Sequence, residues 1–162
     1  MKLTSLLRAV LRSPATATLG DEVALVAAYL EIEQARFEER LRIEIDVPRD
    51  LQQLQVPPLI IQPLVENAIK HGVANSRSGG EVSVSARMTH GELLLTVRNS
   101  GVNTTEHEIA SGRRRGLGLA NLEARLERHF GNAARLTLVP APAETIATVS
   151  LPLPRALMAR GA

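Results

Sequence analysis

Apolar residues recur three and four positions apart in four segments of the chain, and this spacing predicts four helices. The segments are residues 3–12, about 20–36, about 57–71 and 119–129. Asp21 is a plausible N-cap for the second helix. Pro63 falls inside the third, which predicts either a kink there or a new start with Gln62 as the cap.

Apolar and polar residues alternate in five other segments, which is typical of half-buried strands. The segments are residues 41–47, 81–87, 91–98, 135–139 and 145–151. The second and third are separated by a short turn and predict a hairpin. The order of elements predicts an α/β fold: a two-layer sandwich in which one mixed β-sheet is covered on one face by helices, preceded by an N-terminal helical connector.

Residues 65–72, Val-Glu-Asn-Ala-Ile-Lys-His-Gly, carry the most informative polar pattern. Asn67, Lys70 and His71 share one face of the predicted helix, because positions three and four apart lie side by side. An amide, an ammonium and an imidazole at the end of a core helix suit a polar ligand. A polar stripe that simply faces water accounts for the same pattern.

Composition excludes several classes of function. Hydrophobic residues make up 44% of the chain, which is enough for a core, but only 2% of residues are aromatic. The absence of cysteine excludes a disulfide framework and a thiolate zinc site, and it fits a reducing compartment. The basic cluster 113–115 lacks the stacking aromatics of a nucleic-acid surface, so nucleic acid is not an expected partner. No apolar run approaches the roughly 18 residues of a membrane span.

Two further segments carry candidate ligand contacts. Asn99 and Gly101 follow the predicted strand 91–98, where a strand end presents side chains to a crevice. Gly116 and Gly118 lead into the last helix, whose N-terminal N–H groups and positive dipole end suit an anion. No P-loop motif is present, and no strand precedes the glycine pair, which disfavours a dinucleotide fingerprint.

Taken together and in this order, these segments resemble the catalytic, ATP-binding domain of sensor histidine kinases, in the GHKL superfamily with its Bergerat fold. The chain is most similar to the autolysin-sensor type. The resemblance rests on residues 29–37 (YLEIEQARF), 56–72 (VPPLIIQPLVENAIKHG) and 116–126 (GLGLANLEARL). It implies a connector from the dimerisation region over residues 1–38, a catalytic domain over 39–154 and a tail over 155–162.

The resemblance also implies a role for each site residue. Asn67 would coordinate the Mg²⁺ that bridges the ATP phosphates, and Glu66 and Asn67 would be the catalytic residues. Asn99 would read the adenine amino group, and residues 102–115 would form a mobile lid. The implied nucleotide-binding residues are Asn67, Lys70, His71, Asn99, Gly101, Gly116, Leu117, Gly118 and Leu119.

The chain departs from the family pattern at three points. Asn99 replaces the usual aspartate, so an amide oxygen accepts the hydrogen bond without a charge. Asn103 stands where a second glycine is common. The phosphoacceptor segment, a histidine followed by Phe-Leu-Phe-Asn, is missing, which implies a fragment that begins inside the last helix of the dimerisation domain.

Pro63 bears on the choice between a kinase and an ATPase. Family members that hydrolyse ATP carry a general-base glutamate at this position, four residues before Asn67. Proline abstracts no proton, so transfer to a histidine is favoured and would depend on positioning and charge neutralisation. Glu66 is either an assisting base or a solvated residue, and Arg113–Arg115 either contact the γ-phosphate or form a solvated loop.

The resulting prediction is the nucleotide-binding part of a cytoplasmic two-component histidine kinase, of a family whose full-length members are often anchored in a membrane. It would bind Mg·ATP and phosphorylate a histidine on an absent dimerisation domain, in its own full-length chain or in a partner protomer of a homodimer. A response regulator would then take the phosphoryl group. The alternatives are a degenerate GHKL domain that serves only protein interaction, and an anti-sigma-type serine kinase.

Overall fold

A computed structural model describes residues 17–100, 117–141 and 143–152 of the chain. Within these ranges the helices are α1 (Leu19–Phe37), α2 (Gln62–His71) and α3 (Leu117–Phe130). The strands are β1 (Ala17–Thr18), β2 (Leu41–Asp46), β3 (Gln55–Val56), β4 (Gly80–Thr89), β5 (Glu92–Ser100), β6 (Arg135–Ala141) and β7 (Glu144–Pro152). The predicted helix over residues 3–12 lies outside the described residues.

The main sheet has five strands in the order β2-β4-β5-β7-β6, and β1 and β3 form a separate antiparallel pair. β2 runs parallel to β4, while the other neighbours in the main sheet are antiparallel. The predicted mixed sheet is therefore confirmed. The small β1–β3 sheet was not predicted, because its two-residue strands are too short to show an alternating pattern.

The helices form one layer against this sheet. α1 packs beside β2, α2 packs over β4 and β5, and α3 packs beside β6. The inward positions of the three central strands are apolar and buried: Val82, Val84, Ala86, Leu93, Leu95, Val97, Ala147, Val149 and Leu151. The two-layer α/β sandwich predicted from the sequence is confirmed. None of the described helices is long and apolar enough to cross a bilayer.

α1 begins with a capping box. The N–H of Asp21 donates to Thr18 Oγ1 at 3.1 Å, and the N–H of Thr18 donates to Asp21 Oδ2 at 3.1 Å. The hydrogen bonds from Thr18 lower the pKa of Asp21. Thr18 is thus the N-cap, and the prediction of Asp21 was wrong because Asp21 is the N3 partner of the box.

α1 also contributes to the common core. Leu19, Val26 and Leu30 are almost fully buried in the same cluster as the inward strand residues. A division of the chain after residue 38 remains a prediction. The packing of α1 nevertheless shows that this helix is part of the folded unit that the structure describes.

Residues 57–61 precede α2 and do not belong to it, so the predicted start near Pro57 was wrong. Leu59 has a φ of +58°, which no α-helix accommodates. α2 starts at Gln62 with Ile61 as the N-cap, and Pro63 lies in the first turn. Its missing N–H costs no hydrogen bond there. Of the two alternatives for Pro63, a new helix start is correct, although Ile61 and not Gln62 is the cap.

Candidate functional site

α2 separates an apolar face from a polar face, as the octapeptide predicts. Leu64, Val65, Ala68 and Ile69 are buried in the core. On the other side Asn67 and His71 are half-buried, and Lys70 is exposed. The side chains of this polar face line a cleft, so the stripe does more than cover the helix.

The cleft lies between α2 and the first turn of α3 and has a volume of about 450 Å³. It is lined by Pro63, Glu66, Asn67, Lys70, His71, Leu117, Gly118 and Leu119. The structure therefore brings together all the predicted site residues of the two helices. Gly101 and Gly116, like the predicted lid and the Arg113–Arg115 cluster, lie outside the described residues.

The two walls of the cleft have complementary properties. One wall carries the ammonium of Lys70 and the imidazole of His71. The other is the N-terminus of α3, which begins at Leu117, two residues earlier than predicted. The first turn of a helix leaves backbone N–H groups without intrahelical partners and carries the positive end of the helix dipole. The cleft is consequently suited to a polyanion.

Asn99 lies at the polar end of the inward face of β5. The preceding inward positions are apolar, whereas Asn99 is only 6% exposed. Its cross-strand partner on β7 is Thr145, which is 5% exposed. The inward faces of β5 and β7 are thus apolar except at these two buried polar side chains. Asn99 does not line the cleft between α2 and α3; it lies under the residue that follows α2.

That residue is Gly72. A Cβ atom placed on it would lie 2.1 Å from Asn99 Nδ2 and 2.6 Å from the carbonyl oxygen of Ala68. Only glycine therefore lets the end of α2 approach β5 this closely. Gly72 and Thr145 were not among the predicted site residues. The available signals were a glycine directly after the polar stripe and a threonine at an inward position of a strand.

Glu66 also faces the cleft, although it is adjacent to Asn67 in the helix. Gln62 Nε2 donates a hydrogen bond of 2.7 Å to Glu66 Oε1. Burial, with the carboxylates of Glu33 and Glu66, raises the pKa of Tyr29 to about 12. Tyr29 belongs to α1, so this helix comes within electrostatic reach of the cleft.

The donor set fits Mg²⁺ that is shared with a ligand. Among the described residues, no group of three or more His, Cys, Asp or Glu side chains is arranged to hold a metal ion. Asn67 contributes one carboxamide oxygen to the cleft. Mg²⁺ usually retains several waters and is held by one or two protein oxygens together with substrate phosphates. Asn67 would thus suit Mg²⁺ that is held jointly with a phosphate-bearing ligand.

Residues 53–155 match the family described as histidine kinase-, DNA gyrase B-, and HSP90-like ATPase, and residues 1–41 match the histidine kinase family. The chain belongs to the histidine kinase-, DNA gyrase B- and HSP90-like ATPase family. The sensor histidine kinase BtsS of Escherichia coli (strain K12) is 37% identical over 137 residues, which are 85% of this chain and 24% of that protein. The sensor histidine kinase/phosphatase LytS of Staphylococcus aureus (strain Mu50) is 37% identical over 130 residues, which are 75% of this chain and 22% of that protein.

These relatives confirm the predicted resemblance to sensor histidine kinases of the autolysin-sensor type. The chain spans about a quarter of the length of the curated relatives it matches.

Solved structures share the fold of this ATPase-family domain. The histidine kinase domain of a blue-light activated kinase from Erythrobacter litoralis EL346 has a TM-score of 0.66 at 19% identity, over 91% of this chain and 69% of that one. The catalytic domain of histidine kinase ThkA has a TM-score of 0.65 at 15% identity, over 85% and 93%. These likenesses confirm the predicted Bergerat-type fold.

Proposed function

We propose that this chain is the ATP-binding catalytic part of a two-component sensor histidine kinase. It binds Mg·ATP and transfers the γ-phosphoryl group to a histidine of a dimerisation domain. None of its own four histidines lies in the phosphoacceptor segment of the family. A response regulator is the next acceptor. The observation that carries the proposal is the cleft in which the polar face of α2 opposes the N-terminus of α3.

The charges of the cleft support binding of a triphosphate. Lys70 supplies a fixed cation, and the first turn of α3 supplies backbone donors at the positive end of a helix dipole. Asn67 would hold Mg²⁺ through its carboxamide oxygen, and the bound ion would neutralise phosphate charge. The cleft volume of about 450 Å³ falls in the range of small-molecule sites.

The buried pair Asn99 and Thr145 supports recognition of the base. An amide oxygen accepts a hydrogen bond from an exocyclic amine, and a hydroxyl both donates and accepts. Gly72 packs directly on Asn99 and so fixes the position of its amide. Adenine would therefore lie at the polar end of the sheet, and the phosphates would extend towards α3.

The residues of the cleft favour transfer to histidine over hydrolysis. Pro63 lines the cleft one helical turn before Asn67 and offers no group that could activate water. In the proposed transfer, an imidazole nitrogen forms a bond to the γ-phosphorus, the bond from phosphorus to the bridging oxygen breaks, and ADP leaves. The imidazole proton is released, and Glu66 is its proposed acceptor. Positioning and charge neutralisation supply most of the catalysis.

A phosphotransfer assay tests the proposal. The chain is mixed with its cognate dimerisation domain and γ-labelled Mg·ATP, and the label on the added domain is tested for stability to acid. We expect acid-labile, base-stable label on that domain. Acid-stable label would instead indicate a serine kinase. ATP binding without any transfer would indicate a domain that serves interaction alone, and either result would contradict the proposal.

Gly118 gives a second test, because the fold does not require a glycine there. Among the described residues, the nearest atom to a Cβ at this position would be Pro63 Cβ, at 3.8 Å. Gly118→Ala is expected to keep the fold and to gain up to about 1 kcal/mol of stability, since alanine is the better helix former. Its affinity for Mg·ATP is expected to fall at least ~10-fold, about 1.4 kcal/mol, because the methyl group projects towards the ligand.

Denaturant unfolding and calorimetric titration measure these two quantities separately. Ala120→Gly, at an exposed position of α3 outside the cleft lining, is the matched control. It is expected to lose stability and to keep its affinity. Equal affinity of Gly118→Ala and the wild type for Mg·ATP would contradict a close approach of the ligand to the backbone at Gly118.

A further inference from the structure

The loop of residues 58–61 leads into α2 and has unusual backbone geometry. Leu59 lies in the left-handed region at φ +58°, which a non-glycine residue rarely adopts. Such a conformation persists only where the surrounding structure holds it. Two side chains from other helices contact the backbone of this loop, one from α1 and one from α3.

Glu22 of α1 holds the N–H groups of the loop. Its Oε1 accepts from Leu59 at 2.7 Å, and its Oε2 accepts from Ile60 at 2.8 Å and from Ile61 at 3.2 Å. The side chain is only 3% exposed, and this burial raises the pKa of Glu22, while the three N–H groups and Arg125 oppose the shift. α2 has no side-chain cap of its own, so Glu22 supplies a distant acceptor at its N-terminus.

Arg125 of α3 holds the carbonyl groups of the same loop. Its Nη1 donates to the oxygen of Pro58 and, at 3.0 Å, to the oxygen of Leu59. Arg125 lies seven residues after Gly118, which is about two turns further along α3. The loop before the Asn67 helix is thus attached to the helix that forms the opposite wall of the cleft.

The amino end of α1 is attached to the chain just ahead of this loop. The N–H of Leu19 donates to Leu54 O at 2.8 Å, and the N–H of Gly20 donates to Gln52 O at 2.9 Å. β1 and β3 pair immediately beside these bonds. A displacement of α1 would therefore carry the loop with it.

We propose that Glu22 and Arg125 are positioning residues that set the separation of α2 and α3 across the cleft. Neither side chain lines the cleft, so both act through the backbone of the 58–61 loop. α1 influences the nucleotide site through Glu22. The effect on nucleotide affinity rests on the proposed ATP function, whereas the effect on helix separation does not.

The helix separation is measured without nucleotide. The chain contains no cysteine, so spin labels at Lys70→Cys on α2 and Ala124→Cys on α3, both exposed positions, report on one distance. Glu22→Gln replaces an acceptor oxygen with a donor that faces backbone donors, and we expect it to broaden or shift the distance distribution. Arg125→Gln is expected to do the same. Val149→Ala, a buried truncation on β7, should destabilise the fold without changing the distribution.

Affinity for Mg·ATP, measured on the chain without labels, gives the second readout. Glu22→Gln is expected to weaken binding at least ~10-fold, which corresponds to about 1.4 kcal/mol. Leu59→Gly in that background should recover part of the loss, because glycine adopts a positive φ without strain. Leu59→Ala removes the same side chain but keeps the strain, and it should recover nothing.

An unchanged distance distribution in Glu22→Gln would overturn the inference, whatever the affinities. A changed distribution with unchanged affinity would overturn the link from α1 to the site. If the wild-type chain binds no Mg·ATP while the distribution responds to Glu22→Gln, the proposed function fails and the positioning of the helices is supported.

Discussion

Asn67→Ala is expected to abolish the stabilisation of this chain by Mg·ATP. A ligand present at 100 times its Kd stabilises the folded state by about 2.7 kcal/mol. For a domain of this size, that corresponds to a rise in Tm of roughly 5–10 °C. In the proposed site, Asn67 of the cleft would hold Mg²⁺ through its carboxamide oxygen, so its replacement would take away the protein ligand of the metal.

The fold itself should tolerate this change. Asn67 is half-buried on the polar face of α2, and alanine has the higher helix propensity. The Tm without ligand should therefore stay the same or rise slightly. Asn121→Ala, an exposed asparagine on α3 outside the cleft lining, should keep the full shift.

Differential scanning fluorimetry with and without millimolar Mg·ATP measures both variants. If Mg·ATP raises the Tm of Asn67→Ala as much as that of the wild type, Asn67 does not contribute to binding. Absence of any shift in the wild type would contradict nucleotide binding altogether. A shift with ATP that does not depend on Mg²⁺ would remove the metal from the proposal while leaving the nucleotide.

Gly72→Ala is expected to damage the fold and the site together. The new Cβ would lie 2.1 Å from Asn99 Nδ2 and 2.6 Å from Ala68 O. Ala68 O belongs to the backbone of α2 and accepts from the N–H of Gly72, so the last turn of α2 must distort, and the Asn99 side chain must move away from it. Overpacking of this kind costs about 1–3 kcal/mol. The amide of Asn99 must also leave its buried position, so affinity for Mg·ATP should fall as well.

Gly131→Ala separates steric effects from the general cost of losing a glycine. Gly131 has a φ of +57°, and no atom of the described residues lies within 4 Å of its Cβ position. Its replacement should cost about 1 kcal/mol of backbone strain and leave the affinity unchanged. Urea unfolding and nucleotide titration compare the two variants. Wild-type stability and affinity in Gly72→Ala would show that α2 does not pack on Asn99 as closely as described.

Local pattern determined the elements and one face of the site. Alternation is a property of consecutive residues. Each end of strands β2, β4, β5, β6 and β7 was therefore predicted to within two residues. The stripe of Asn67, Lys70 and His71 follows from the 3.6-residue period alone, whatever packs against the helix. Gly116 and Gly118, at the start of the last predicted helix, likewise indicated an anion site from neighbouring residues alone.

The starts of the helices depended on partners that a local pattern does not contain. Two residues compete for the cap of α1, and the capping box assigns Thr18 to it and Asp21 to its N3 position. The start of α2 is held by Glu22, 37 positions before Leu59, and by Arg125, 66 positions after it. Side chains this far apart in sequence leave no periodic signal.

The sequence by itself determined the strands of the main sheet, the polar face of α2 and the family resemblance, because each depends on neighbouring residues. Only the tertiary structure decided that Asn99 is buried against Gly72 and faces Thr145, and that Glu22 and Arg125 hold the loop before α2. These contacts arise where the helix layer meets the sheet, and their distances depend on how the whole core packs.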